Sequence, residues 1–328
     1  MLDKMKIFIT GSTGFIGTYL IKRLSETKHE LRCLVREKSD TRFLKESDAK
    51  IFIGDITDKS TILKGMEGCD CVIHLASSFI FWASNNRVFE DVNVTGTRNI
   101  MESSLETGIS KVIYISSIGV YGNAEWPITE NTPVGTKCYS KYLRTKYKGD
   151  LIAWKLYEER KLPLVVIYPS GVIGANDPKA CGQYIKNFAL GRMPAQILTK
   201  IYFPFVHVKN VADGIVKALE KENNIGEKYI LSAENITFGD FNKMISEISK
   251  TRLPFLKLPN WLSVLSSYMV TGIANIFRKP PLWDMSVDQI SLMRHGMKTD
   301  GSKAERELGI KYTPIYNGIK DSIESIRG

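Results

Sequence analysis

The chain predicts a doubly wound parallel α/β sheet joined to a smaller mixed α/β region. Three observations carry that prediction. Short β-rich runs alternate with longer stretches of helical periodicity through the first half of the 328 residues. Several of those runs are continuously apolar, as strands covered on both faces are. A glycine-rich turn separates the first run from the first helical stretch.

Lys6–Thr10 is the first strand, and Thr10-Gly11-Ser12-Thr13-Gly14-Phe15-Ile16-Gly17 leads from it into a helix over Phe15–Ser25. Gly11 permits the tight turn, Gly14 lets the backbone approach a pyrophosphate, and Gly17 lets the helix lie near the strand. With Thr13, Phe15 and Ile16 they form a candidate anion cradle, because the helix N-terminus offers free N–H donors. The second strand, Leu31–Val35, ends at Arg36. At such a tip a carboxylate would bond a free ribose 2′-hydroxyl, whereas an arginine accommodates a 2′-phosphate. Arg36, with Lys38 nearby, therefore points to NADP, with NAD the alternative because Glu37 lies one residue away. Strand Lys50–Ile53 runs into Gly54-Asp55-Ile56, a turn suited to the adenine ring with Asp55 near its amino group; a plain turn is the competing reading.

Helix Lys59–Met66, strand Cys71–Leu75, helix Val88–Thr107, strand Lys111–Ser116, helix Tyr139–Arg160 and strand Leu164–Tyr168 complete the alternation. After Pro169 the pattern loosens into loops, short helices and an isolated strand, Lys228–Leu231. The expected division is a nucleotide-binding unit over 1–170 and a mainly substrate-binding region over 171–328, with segments packing back on the sheet.

Composition excludes several functions. Forty-five Lys and Arg against 35 Asp and Glu give a net charge of +10, but the basic residues are spread rather than gathered in a stripe, so nucleic acid is not the expected partner. A basic surface suits a phosphorylated cofactor, an acidic substrate or an anionic membrane face. The five cysteines lack C-x-x-C spacing and read as buried small hydrophobes in a reducing compartment, with no metal site. No leader pattern precedes the first strand, and the expected location is cytoplasmic.

The chemistry centres on Tyr142 and Lys146, four residues apart on one helix face. A tyrosine of ordinary pKa near 10 is a poor acid or base at neutral pH, and a neighbouring ammonium favours its phenolate. Ser117, at the end of the fifth strand, is placed to hold a substrate oxygen. Tyr139 is the competing tyrosine, but Leu143 stands four positions after it.

In these motifs the chain resembles the extended short-chain dehydrogenase/reductase superfamily, a Rossmann-fold group. The glycine turn, Leu75-Ala76-Ser77, Asn93-Val94-Thr95-Gly96-Thr97-Arg98-Asn99, Ser116–Gly122, Tyr142-Leu143-Arg144-Thr145-Lys146 and Pro169-Ser170-Gly171-Val172-Ile173-Gly174 occur in that family's order. Within it the chain is most similar to the dihydroflavonol-4-reductase-like group, with 3β-hydroxysteroid dehydrogenases further away. The resemblance implies a Ser117, Tyr142, Lys146 triad supported by Asn93. Leu75, Ala76, Ser77, Pro169, Ser170 and Val172 are implied as further cofactor contacts. The family's usual Ala-Glu after the lysine is replaced by Gly149-Asp150, a departure expected to affect helix packing more than chemistry.

The implied reaction is hydride transfer between nicotinamide and a carbonyl carbon, with Tyr142 donating a proton in the reducing direction. Ser78, Phe79 and Phe81, after the fourth strand, suggest a largely apolar small-molecule substrate; packing of this loop on the second region is the alternative. Trp261–Phe277 carries no charge and is at the low edge of spanning length. An amphipathic lid is expected there, with shallow membrane contact or a partner surface as alternatives. A nucleotide-sugar epimerase or dehydratase is the rival reading, disfavoured by Tyr202-Phe203-Pro204-Phe205 and Tyr168-Pro169-Ser170. A non-catalytic NADP-binding sensor is the third. His207 reads as structural, and the protein is a monomer or a homodimer.

Overall fold

A computed structural model describes residues 4–134 and 137–327; residues 1–3, 135–136 and 328 lie outside the described part. The first half follows the alternation: β1 (Lys6–Thr10), α1 (Phe15–Leu24), β2 (Glu30–Val35), α2 (Arg42–Glu46), β3 (Lys50–Ile53), α3 (Lys59–Met66) and β4 (Cys71–His74). Then come α4 (Arg87–Glu90), a π-helical turn over Asp91–Gly96, α5 (Thr97–Glu106), β5 (Lys111–Ile115), α6 (Lys141–Arg160) and β6 (Leu164–Pro169). The second half adds β7 (Gly171–Ile173), α7 (Ala180–Ala189), β8 (Tyr202–His207), α8 (Val208–Glu220), β9 (Lys228–Leu231), β10 (Glu234–Thr237) and α9 (Phe238–Ser249). It closes with α10 (Asn260–Phe277), α11 (Val287–His295), α12 (Ser302–Leu308) and α13 (Ile315–Arg327).

Seven parallel strands form the main sheet in the order β3-β2-β1-β4-β5-β6-β9. Its connections run outward from β1 in one direction and from β4 in the other, so the order reverses between these two strands and opens a crevice at their carboxyl ends. Lys228–Leu231 is not isolated: as β9 it pairs with β6 and closes the sheet. A second sheet, β10-β8-β7, is mixed.

Both faces of the main sheet are packed. One core joins β1 and β2 to α1 and α8 through Ile7, Ile9, Leu20 and Val211; the other sets Phe8, Val112 and Val166 against α3, α5 and α6. The smaller region has its own core around Phe188, Phe205, Phe241 and Ile319. His207 caps α8 by accepting from Lys209 N at 3.0 Å, while Nε2 lies 3.2 Å from Asp321. Asn210 anchors the C-terminal segment through Lys311 O and Thr313 N. Both are structural.

Candidate active site

The glycine turn is built as its residue types require. Gly11 has φ +76°, and a Cβ there would meet Ala76 N at 2.6 Å; a Cβ on Gly17 would meet Gly11 O at 2.2 Å. The turn therefore presses on the end of β4 on one side and on α1 on the other. Gly14 caps α1 with extended backbone and no side-chain cap bond, which leaves the first-turn N–H groups of α1 for an anion.

A cavity of about 620 Å³ opens above this turn. Every cofactor residue expected from the sequence lines it: Gly11, Thr13, Gly14, Phe15, Ile16 and Gly17; Arg36, Asp55 and Ile56; Leu75, Ala76 and Ser77; Pro169, Ser170 and Val172. Arg36 reaches it, whereas Glu37 and Lys38 do not line it, so the strand tip presents the cation. Asp55 Oδ1 is already engaged by Thr57 N and Thr57 Oγ1, both at 2.9 Å. Ser170 Oγ is buried without a partner among the described residues. A glycine cradle, an uncapped helix start, a cation and an orphaned hydroxyl fit a phosphorylated dinucleotide.

Ser117, Tyr142 and Lys146 line the same cavity. Ser140 caps α6 by accepting from Leu143 N at 3.1 Å, which fixes the start of the helix two residues before the phenol. Tyr142, Lys146, Gly149, Asp150 and Ala153 then fall on one buried stripe. Ser117 lies two residues past β5, where it caps a short 3-10 turn over Ile118–Tyr121 and accepts from Gly119 N at 3.2 Å, so its own proton is free to donate. Tyr139 instead stacks on His295, ring centres 3.5 Å apart, and does not line the cavity.

The charge relationship differs from the sequence expectation. Burial pushes the Tyr142 phenol up to about 12, opposed by hydrogen bonding to Ser77 and Ser117, and Lys146 is not among the causes. The lysine donates to Tyr114 Oη at 3.1 Å and to Ile115 O at 2.8 Å. Burial pulls its own pKa down to about 7, and the Asp150 carboxylate opposes that fall. A fully enclosed ammonium loses its hydration, and its neighbours restore only part of it.

Asn93 sits in the π-helical turn and joins three elements. Its Oδ1 accepts from Ser77 Oγ at 3.0 Å and Ser78 N at 2.8 Å, and its Nδ2 donates to Thr145 Oγ1 at 3.0 Å. The loop after β4 and helix α6 are thereby held to one residue. Gly149 allows this approach, since a Cβ there would meet Asn93 O at 2.5 Å.

Phe79 and Phe81 stand edge-on to the Tyr142 ring at 5.1 and 5.8 Å. With Ser78 they line the cavity, and Phe203, Phe205, Phe238, Leu292 and Met293 continue its apolar wall. The loop also serves packing, for Trp82 Nε1 donates to Asn275 Oδ1 at 2.9 Å. Helix α10 is not a lid: none of its residues lines the cavity.

Two residues, Tyr114 and Lys179, escaped the sequence reading, and Asp150 was read there only as a packing departure. Tyr114 and Asp150 contact or face the lysine from buried positions, and Lys179 lines the cavity with Arg36. Burial depresses the Lys179 pKa, Asp177 opposes this and the Arg36 charge adds to it. The i, i+4 spacing from Lys146 was the available signal for Asp150.

The family model for the NAD dependent epimerase/dehydratase family matches residues 7–232. A Synechocystis sp. protein, provisionally described as a dihydroflavonol 4-reductase, is 28% identical over 324 residues, covering 96% of this chain and 93% of that protein. Sterol demethylase protein B of Methylococcus capsulatus is 28% identical over 336 residues, covering 98% of each. The crystal structure of gox2253 superposes with a TM-score of 0.84 at 32% identity, covering 99% of this chain and 98% of that one.

Proposed function

Since the chain belongs to the NAD-dependent epimerase/dehydratase family, we propose that it is an NADP-dependent oxidoreductase interconverting a carbonyl and an alcohol on a largely apolar small molecule. One observation carries this reading: the Tyr142 phenol is buried between Phe79 and Phe81 in the cavity that the glycine turn also lines. The bound nicotinamide would supply or accept the hydride. Gly11 to Gly17 would hold its pyrophosphate, Arg36 and Lys179 a 2′-phosphate, and Pro169 to Val172 the nicotinamide end.

A phenol held near 12 keeps its proton at neutral pH, which suits a proton donor to the developing alkoxide. Ser117, its acceptor side taken by Gly119 N, donates to the same oxygen. Lys146, held from β5 in the same cavity, would in its ammonium form stabilise the negative charge that develops as the phenol gives up its proton. Phe79, Phe81 and the Phe203–Phe238 wall exclude water and favour an apolar substrate. A cytoplasmic setting belongs to this reading, supported by five unpaired cysteines.

The test is NADPH consumption by the purified protein with a panel of lipophilic ketones and aldehydes, alongside UDP-sugars. Ketone-dependent oxidation of NADPH supports the reading. Sugar-nucleotide conversion without net cofactor consumption would replace it with the epimerase reading.

A further inference from the structure

Helix α10 is folded with its polar side inward. Ser263, Ser267 and Ala274 are buried, and the serine hydroxyls satisfy themselves on the helix backbone, Ser263 Oγ to Pro259 O and Ser267 Oγ to Val264 O. The outward face carries Trp261, Leu265, Tyr268, Met269, Ile276 and Phe277, which are 50–77% exposed. A helix facing water has the opposite arrangement. The neighbourhood shares the anomaly: of nineteen exposed large hydrophobic residues among those described, twelve lie between 253 and 283, with Phe255 fully exposed. Apolar surface concentrated in this way marks a docking face.

Charge identifies what docks there. No Asp or Glu occurs from residue 248 to 283; exposed Arg252 and Lys257 precede the helix, and exposed Arg278 and Lys279 follow it. Two copies meeting antiparallel through α10 would set these cations against each other at both ends. An anionic bilayer complements both ends at once, and Trp, Tyr and Phe beside basic residues suit the headgroup boundary. No helix among the described residues is long and apolar enough to cross a membrane.

We propose that the 253–283 face docks on an anionic lipid surface, with α10 lying in the plane of the interface. The inner side of the docked element reaches the cavity wall. Thr271 Oγ1 accepts from Val287 N at 2.9 Å at the start of α11, whose Gln289, Leu292 and Met293 line the cavity. Ser286 Oγ donates to Phe81 O at 3.0 Å. This coupling fits a substrate drawn from the bilayer; that extension rests on the oxidoreductase reading, whereas docking does not.

Vesicle flotation of the full chain tests the proposal without any activity assay. The protein is expected to float with phosphatidylcholine vesicles containing about one quarter phosphatidylglycerol, and roughly tenfold less with pure phosphatidylcholine. The double substitution Leu265→Glu, Met269→Glu is expected to abolish flotation, and Arg278→Gln with Lys279→Gln to weaken it roughly tenfold. Unchanged circular dichroism and NADPH affinity would show that the variants remain folded. Protein that stays with the dense fraction in both lipids overturns the proposal. So does a dimer in sedimentation velocity that Leu265→Glu, Met269→Glu dissociates, since a second copy would then be the occupant.

Discussion

Lys146 Nζ donates to the Tyr114 hydroxyl at 3.1 Å and lies 4.6 Å from the centre of its ring. The ammonium on α6 is thus held by a strand residue rather than by the tyrosine one helical turn before it. His74 stacks on the Tyr114 ring, 5.6 Å between centres, and is kept neutral because burial drives its pKa to about 3.

Tyr114 is therefore a positioning residue. Tyr114→Phe keeps the ring and removes the acceptor, so the charged form of Lys146 loses a partner. The reaction rate kcat should fall roughly three- to tenfold with little change in substrate KM. The pH–rate inflection should move to lower pH, a shift that a packing defect alone does not produce.

Lys146 should also set the pH dependence of wild-type reduction. With its pKa near 7, the ammonium is present below that pH and lost above it, while Tyr142, near 12, stays protonated. Reduction kcat/KM should fall as pH rises through about 7. Asp150→Asn removes the carboxylate that favours the ammonium and should move the inflection to lower pH; a profile unchanged by this substitution argues against the assignment.

Asp150 has a separate effect on stability. Burial raises its pKa to about 6, so between roughly 4 and 6 the folded state keeps a proton that the unfolded chain has lost. Stability from this group falls as pH rises through that window. Thermal scans should show Asp150→Asn gaining on wild type from about pH 4 to about pH 6.

Gly149 should invert the usual helix rule. Exchanging glycine for alanine inside a helix normally gains about 1 kcal/mol. Here the new Cβ would meet the Asn93 carbonyl at 2.5 Å, and Gly149→Ala should cost roughly 1–3 kcal/mol in denaturant titration. The backbone contact cannot rotate away as a side chain would.

Arg36→Ala tests the cofactor choice. Removing a charge-assisted contact to a 2′-phosphate should raise KM for NADPH about tenfold and leave KM for NADH nearly unchanged. Equal effects on both cofactors would point away from NADP.

The sequence made the nucleotide half legible because its signals are local. Glycines with a fixed spacing after β1, an arginine ending β2 and a Tyr-x-x-x-Lys helix each name their own surroundings. Tyr114 carried no such mark: it looks like one more large residue in an apolar strand, and its task depends on Lys146 of α6 reaching β5, whereas Asp150 stood out only as a departure after the lysine. Strand β8 was obscured by Pro204, which sits in a three-stranded sheet that local pattern does not announce. The lid expectation failed because periodicity reports that α10 has two faces without saying which one the fold covers. Ser263 and Ser267 face inward by bonding their own backbone, so the usual link between polarity and exposure is broken there.

The most direct test is single-turnover absorbance of NADPH with a reducible lipophilic ketone, comparing wild type with Tyr142→Phe at matched cofactor occupancy. Losing the proton donor should slow the step by roughly a hundredfold to ten-thousandfold while NADPH affinity, read by fluorescence, stays within about twofold. A Tyr142→Phe protein that turns over at the wild-type rate would contradict the account.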